Sequence, residues 1–425
     1  MIDLLQLSIP FKFEHVIETL SADERGGRYI DLEEIARHTG LRLTARDVEF
    51  EISGDLQVTG LSHPYESLPS YFSGLAMKVH QGSNLAPPRV ELKASPAKLL
   101  QGHNVFGPTD VSLCAEALFK PFCDSMPLLA DYLDFENTYI AKIDCTFSAR
   151  LKTINQTRQA VDILRNVSNG QTKVTKSTRS QNYDSTVYFN ETSCWVRRKI
   201  YLKHLELLAD LERCKKELRC KPNDEILKRR INVLSNPDLI EWVSLLVRFE
   251  ASLFPRKLYD LNIPTKLLDL ISYQIEYERE GRNLIYDMWS AGFNELFESF
   301  KGTVMNIYDD EKILELLKST YHSITPKGNI TYSKAQRIFG FYRRLVNEGY
   351  DEVFKTLPRR SFYNNINELI AAGLSKSQLQ NLQADKSNNV VPLVQLITVD
   401  FSKQYPDWYE EPVIHYDNVI QLKAS

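Results

Sequence analysis

The chain has 425 residues, 43% of them hydrophobic and 25% charged, with a net charge of −3, the profile of a soluble globular protein long enough for two or three domains. No apolar run reaches the roughly 18 residues of a membrane helix, and the apolar start lacks the basic flank and cleavage site of a signal peptide. Six cysteines stand singly with no C-x-x-C pair, which excludes a zinc or disulfide framework and suits the reduced thiols of a cytosol.

In chain order, "MIDLLQLSIPFKFEHV" predicts a first strand, and residues 46–61 alternate about the Gly54-Asp55 turn signal as a hairpin should. Further strands are predicted over 89–95, 141–149, 185–191, 195–202 and 244–253, all rich in β-branched and aromatic residues. Helical patterns fall near 110–122 and 157–167, and a long charged one runs over 203–234, interrupted near Pro222. After about Phe254 helices dominate. The pattern predicts an α+β chain with a first domain over 1–260, a helical connection over 261–304 and a mainly helical domain over 305–425.

Charge is unevenly placed. From Phe147 to Lys203 there are eleven Lys/Arg and three Asp/Glu, a local balance of +8 in an otherwise acidic chain. A located basic segment offers phosphate contacts with salt-dependent affinity, or is a solvated surface. Within it, the polar stretch 166–182 carries Lys173, Lys176 and Arg179 and reads either as a plain loop or as one that closes on nucleic acid.

Three carboxylates interrupt apolar strand patterns: Glu91 in "VELKAS", Asp144 in "KIDCTFS" and Glu250 in "VRFEASL". A bare buried charge costs several kcal/mol, so each is paired with a neighbour such as Lys93, Lys142 or Arg248, faces solvent, or joins the others around a divalent cation. Magnesium favours carboxylate and water oxygens. His103 in "LLQGHNVFG" is a satisfied turn histidine or a site residue. No two histidines are spaced i, i+2, none begins H-x-x-R, and no G-x-x-x-x-G-K-[ST] is present, which removes the paired-histidine strand of many nicking enzymes, weakens a recombinase or topoisomerase reading and excludes P-loop ATP use.

In the last third, Ile338, Phe341 and Leu345 line one side of a helix over 333–349. A short helix follows, then a break at Pro358 and a second helix with Phe362, Ile366, Leu369 and Ile370 on one face until Gly373. This outlines a helix-turn-helix whose opposite face joins Arg360, Tyr363, Asn364 and Asn367, residues suited to base edges in a major groove; a generic helical hairpin has the same pattern.

The stretches "GLSHPYESLPS", "ELKASPAKLLQGHNVFG", "RNVSNGQTK", "IYLKHLEL", "VLSNPDL", "FGFYRRLVNEGYD" and "PDWYEEPV" together resemble the gene II replication initiators of filamentous phages, over essentially the whole chain. The resemblance implies a site-specific nickase that starts rolling-circle replication on the double-stranded replicative form, then cuts and recloses the displaced strand. It implies an antiparallel sheet with helices on one face, magnesium or its substitute manganese as cofactor, and phage origin DNA as substrate. Host helicase and polymerase would be partners, with a multimer at the origin and the host cytoplasm as the setting. Tyr201 matches the tyrosine that attacks the scissile phosphate and holds the 5′ end. A phenol, with pKa about 10, needs help at neutral pH; Arg197, Arg198, Lys199 and Lys203 are placed to supply a cationic field, and Lys203 to steady the phosphate. If Tyr201 sits on a strand, Lys203 and Lys199 share its face; if the helix has begun, Glu206 lies one turn on as a fourth candidate metal ligand. Met305 looks like the start of the family's shorter in-frame product. An inert origin-binding regulator and a conjugative relaxase remain as other classes, the second expected to show a histidine cluster.

Overall fold

The computed structural model of the chain describes residues 1–19, 27–50, 56–151, 153–165, 185–298, 310–324, 330–382, 401 and 403–414. Its centre is an eight-stranded antiparallel sheet. The strands are β1 (Ile2–Pro10), β2 (Glu66–Pro69), β3 (Gly74–His80), β4 (Arg89–Ala94), β5 (Tyr139–Arg150), β6 (Thr186–Phe189), β7 (Val196–Leu202) and β8 (Leu246–Leu253), in the spatial order β6-β7-β8-β5-β1-β4-β3-β2. The strands expected near 89, 141, 185, 195 and 244 are all members. β2 and β3 had no counterpart in the sequence pattern, because Pro, Gly and Ser punctuate that region and hide its period.

Strand alternation divides the sheet into two faces. On β8, Val247, Phe249, Ala251 and Leu253 are buried beneath helices, while Arg248, Glu250 and Ser252 point to the other side. The apolar face, with Leu5, Leu7 and Ile9 of β1 fully buried, is covered by α2 (Val111–Ser125), α6 (Leu267–Arg279) and α7 (Leu284–Glu298). Gly292 lets α7 approach closely, since a Cβ there would stand 2.8 Å from that of Ala251. Next to it Trp289 is 1% exposed and its indole N–H donates to the Phe249 carbonyl at 3.0 Å. The described helices of the expected connection, α6 and α7, therefore belong to the first core.

On the polar side lie α3 (Lys203–Cys220), α4 (Glu225–Leu234) and α5 (Pro237–Val243), while α1 (Pro96–Gln101) bridges the two sides, Leu99 in the apolar core and Lys98 paired with Glu206 and Asp210 of α3. The charged stretch 203–234 is thus two helices, broken around Pro222 as its sequence requires. Leu207, Leu211, Leu234, Leu239 and Val243 form a small core with Val105 and Phe106, and Tyr405 and Tyr409 pack against it. The C-terminal segment thereby returns to the sheet domain: Gln404 bonds both ways with the Ser148 backbone, at 2.8 and 2.9 Å, and Phe401 stands 4.8 Å from Trp289.

A separate core joins α8 (Asp310–Thr320), α9 (Ser333–Glu348), α10 (Tyr350–Thr356), α11 (Arg359–Ala371) and α12 (Lys376–Asn381). Gly349 turns the chain between α9 and α10 at φ +90°, a region that favours glycine. Met305 and the Gly54-Asp55 turn lie outside the described residues, although the strands flanking that turn, Thr44–Phe50 and Leu56–Ser62, pair as expected. Among the described residues no helix is long and apolar enough to cross a membrane.

Candidate active site

The register across β7, β8 and β5 assembles the centre of the polar face. Tyr201 stands opposite Arg248, Lys199 opposite Glu250, and Glu250 in turn opposite Thr146, with Asp144 two pairs further along on the same face. Diagonal neighbours on one face lie within reach of long side chains, and the Tyr201 hydroxyl donates to Glu250 Oε2 at 3.3 Å. The Lys199 ammonium sits 4.0 Å from the Tyr201 ring centroid and that of Lys203 5.8 Å. Tyr201 is a strand residue, and α3 begins two residues later at Lys203.

Lys203 is fully buried, which is tolerable only because its charge is met. It donates to Asn104 Oδ1 at 2.8 Å and to the Glu206 carboxylate. Asn104 passes the connection on, its amide donating to Asp3 Oδ1 at 2.6 Å. Arg248, 1% exposed, donates to the carbonyls of Asn104 and Val105 and so anchors the loop that presents Asn104. Asp3 lies where the β1–β5 register shifts between Ile2 and Leu4, a bulge of the kind that re-aims a side chain beside a site. Neither Asp3 nor Asn104 follows from the sequence: the first sits in an ordinary strand start and the second in a turn, and only the bulge and the Arg248 anchor bring them here.

Burial and like charge set the protonation states. Burial, then the Glu250 and Asp3 charges, hold the Tyr201 phenol well above its usual range; the expected cationic field does not lower it in the free protein. Burial, then Asp3 and Asp144 against the pull of Lys199, raise the Glu250 carboxyl to about 7. Burial also raises Asp144, partly offset by Lys142, whose ammonium donates to it at 2.9 Å. Burial brings Lys203 down to about 8. Burial pulls Lys199 down, but the Glu250 charge outweighs it and holds the ammonium above its usual range. Glu206, despite its burial, is held well below the carboxylate range by Lys203 and Lys98.

The three strand acids do not converge. Glu91 pairs across with Ser8 whereas Asp144 pairs with Leu4, four residues away along β1. Glu91 instead accepts from the Tyr65 hydroxyl at 2.8 Å and stands 3.6 Å from His80, contacts that bring it to about 2. Glu206 is taken up by Lys203 and Lys98. Among the described residues no group of three or more His, Cys, Asp or Glu side chains is placed to cage a metal ion. Asp144 Oδ1, however, is buried with no hydrogen-bond partner, and magnesium commonly takes one or two carboxylates and keeps its waters. Asp144 is thus the described acid whose state fits a divalent cation.

Of the candidate DNA contacts, Arg197 shares the Tyr201 face, donating to the Ser193 carbonyl at 2.7 Å beneath the Phe254 ring. Arg198 does not: alternation turns it to the helical side, where it is 6% exposed, donates to the Gly292 carbonyl and lies 3.8 Å from Glu295. Lys173, Lys176 and Arg179 lie outside the described residues. Lys93 and Lys142 flank Gln6 in one register row on this face; Lys142 is paired with Asp144, and Lys93 is half-buried. On α11, Arg360, Tyr363, Asn364 and Asn367 are exposed while Phe362, Ile366 and Leu369 are buried. Ile370, expected on the buried side, is 37% exposed.

Comparison with known proteins covers nearly the whole chain. Residues 1–280 match the family model for the N-terminal part of the gene II replication-associated protein, and residues 324–415 match the model for its C-terminal part. The chain is 51% identical to the replication-associated protein of this family from Enterobacteria phage fd over 417 residues, 97% of this chain and 99% of the relative. It is equally similar to that of Enterobacteria phage M13. To that of Salmonella phage IKe it is 49% identical over 430 residues, the full length of both.

Proposed function

The chain belongs to the family of gene II replication-associated proteins, the rolling-circle replication initiators of filamentous phages, and from that premise we propose that it nicks and recloses one strand of its phage origin DNA with Tyr201 as nucleophile. The observation that carries the proposal is the Tyr201 hydroxyl directed at Glu250 between two lysines. A nucleophile, a base to take its proton and cations to meet the phosphate are what transesterification requires.

As the Tyr201 oxygen attacks, the Oη–P bond forms and the P–O3′ bond breaks, and the phenolic proton passes to Glu250, which is poised at about 7 for that role. Lys203, at about 8, supplies the proton that the departing 3′ oxygen needs. Lys199 faces the same phosphate as a retained positive charge. Phosphodiester is exchanged for phosphodiester, so the 3′-OH can later attack the phosphotyrosine and reseal the strand without ATP. Magnesium, or manganese in its place, would be held by Asp144 with Asp3 beside it and would supply Lewis-acid polarisation of the phosphate. Tyr201 is only 3% exposed, so DNA binding must shift its surroundings before a phosphate reaches it.

Supercoiled origin DNA incubated with the protein and magnesium should yield nicked circles carrying protein on the 5′ end. Circles that stay closed would favour an inert origin-binding regulator, and nicks with no attached protein would remove the covalent reading.

A further inference from the structure

Three stretches that carry the family resemblance, each with residues that the strand-transfer chemistry leaves unused, meet on the polar side of the molecule. His103 from "QGHNVFG", the end of α4 and start of α5 from "VLSNPDL", and Trp408 from "PDWYEEPV" enclose an open cleft of about 470 Å³. Its lining includes His103, Asn232, Ser235, Asn236, Leu239 and Trp408, and the volume is in the range of small-molecule sites, roughly 300–1,000 Å³. The cleft adjoins the catalytic centre, for His103 precedes the Asn104 that holds Lys203.

The lining has a definite chemistry. Trp408 is 48% exposed, which for an indole beside a cleft leaves stacking surface open. It is held in place: its ring meets Phe106 edge-on at 5.4 Å, and the next residue, Tyr409, meets Phe106 at 5.3 Å and stacks on Tyr405 at 4.4 Å. The Tyr405 hydroxyl in turn donates to the Gly107 carbonyl at 3.0 Å. A rigid aromatic platform is pre-organised for stacking. Asn232, Ser235 and Asn236 are exposed along the cleft and offer amide and hydroxyl groups. Asn236 already accepts from the Asp238 N–H through Oδ1 at 2.9 Å, which leaves its amide hydrogens to donate. No Lys, Arg, Asp or Glu is among the described lining residues, and His103 is kept neutral, brought to about 3 by burial and then by Lys203 and Arg248. An uncharged cleft with one aromatic plate and edge-reading amides suits a nucleobase; a phosphate would need cations.

We propose that this cleft receives one unstacked base of single-stranded DNA beside the scissile phosphate, stacked on Trp408 and hydrogen-bonded at its edge by Asn232 and Asn236. The proposal rests on the strand-cleaving reading of the Tyr201 site and defines how that site takes its register on the strand. The C-terminal segment thereby becomes part of the substrate surface, with the base-reading plate delivered from beyond the helical domain.

The test uses the full chain and a short single-stranded oligonucleotide spanning the nick position, with a fluorescent adenine analogue walked through the flanking positions. One position should show strong quenching that Trp408→Ala abolishes, with affinity falling roughly 5- to 150-fold, the range for one lost base stack. Trp408→Phe should retain most of both. The salt dependence of binding should not change in Trp408→Ala, since no cation leaves. Asn232→Ala, at an exposed position outside the Phe106–Tyr405–Tyr409 aromatic cluster, should relax base preference at that same position. Tyr201→Phe should keep the quenching whether or not it cuts, so failure of the nucleophile assignment and failure of this proposal are separable. Unchanged affinity and quenching in Trp408→Ala, or a loss accompanied by a smaller salt slope, would overturn it.

Discussion

At the scale of single residues, the site is governed by what burial does to charge. A phenol in water loses its proton near pH 10; Tyr201, buried against Glu250 and Asp3, holds it more tightly still. Activation therefore depends on the partner that accepts the proton. Tyr201→Phe should fold, bind origin DNA and form no 5′-linked product on a denaturing gel; undiminished nicking by it would transfer the role elsewhere. Glu250 must be ionised to act as base, and its pKa is raised to about 7, so kcat/KM for nicking should rise with pH through about 7. Lys203 must be protonated to act as acid and is lowered to about 8, so the rate should fall again above that. Glu250→Gln should lower the maximum by roughly 10²–10⁴-fold, the usual weight of general-base help, and flatten the acid limb only. A profile unchanged in shape would make Glu250 structural.

At the scale of elements, the junction between β7 and α3 and the helix α11 each separate two tasks. Ending β7 at Leu202 and starting α3 at Lys203 turns a strand-borne tyrosine and a helix-borne ammonium toward one space. On α11, burial of Phe362, Ile366 and Leu369 leaves Arg360, Tyr363, Asn364 and Asn367 outward, and Arg337 of α9 braces it by donating to Asn365 and, at 2.6 Å, to Glu368. Arg360→Ala should weaken specific binding by about 1–3 kcal/mol and relax preference at one base pair, measured by competition between origin and scrambled duplexes. Equal preference in the variant and the parent would reduce α11 to a packing element. Under α7, Trp289→Ala should destabilise the sheet domain by about 3–5 kcal/mol in a denaturant titration, since it empties a fully buried site and removes the indole hydrogen bond to the Phe249 carbonyl.

At the scale of the molecule, the sheet domain and the helical core are built separately, and the C-terminal segment packs back on the sheet domain. The sheet domain presents a polar face with the Lys142–Gln6–Lys93 row leading away from Tyr201, whereas the helical core presents α11. Contacts to phosphate carry affinity and contacts to base edges carry preference. Lys93→Ala should thus weaken binding to every sequence alike and lower the salt slope by about one unit, while Arg360→Ala should leave that slope nearly intact and leave cutting of single-stranded origin DNA unimpaired. If the two variants changed slope and preference in the same proportion, the division of labour between the domains would be wrong.

The period-2 runs of β1, β4, β5, β7 and β8 and the period-3.6 runs of α9 and α11 were legible because alternation and amphipathicity are local consequences of which side is buried. The likeness to phage initiators singled out Tyr201, and alternation from it brought Lys199 to the same face. Local pattern could not show which acids meet. Glu91, Asp144 and Glu250 look alike in sequence, but register places Glu91 with Tyr65 and His80 and puts Glu250 against the phenol, because pairing between strands is decided by contacts far apart along the chain. Arg198 looked equivalent to Arg197, yet one step along a strand reverses the face. Asp3 carried no local signal, and Asn104 and Trp408 stood in family-like stretches with no sign of what they touch: a bulge, an arginine-anchored loop and an aromatic tail place these side chains only in the assembled tertiary structure.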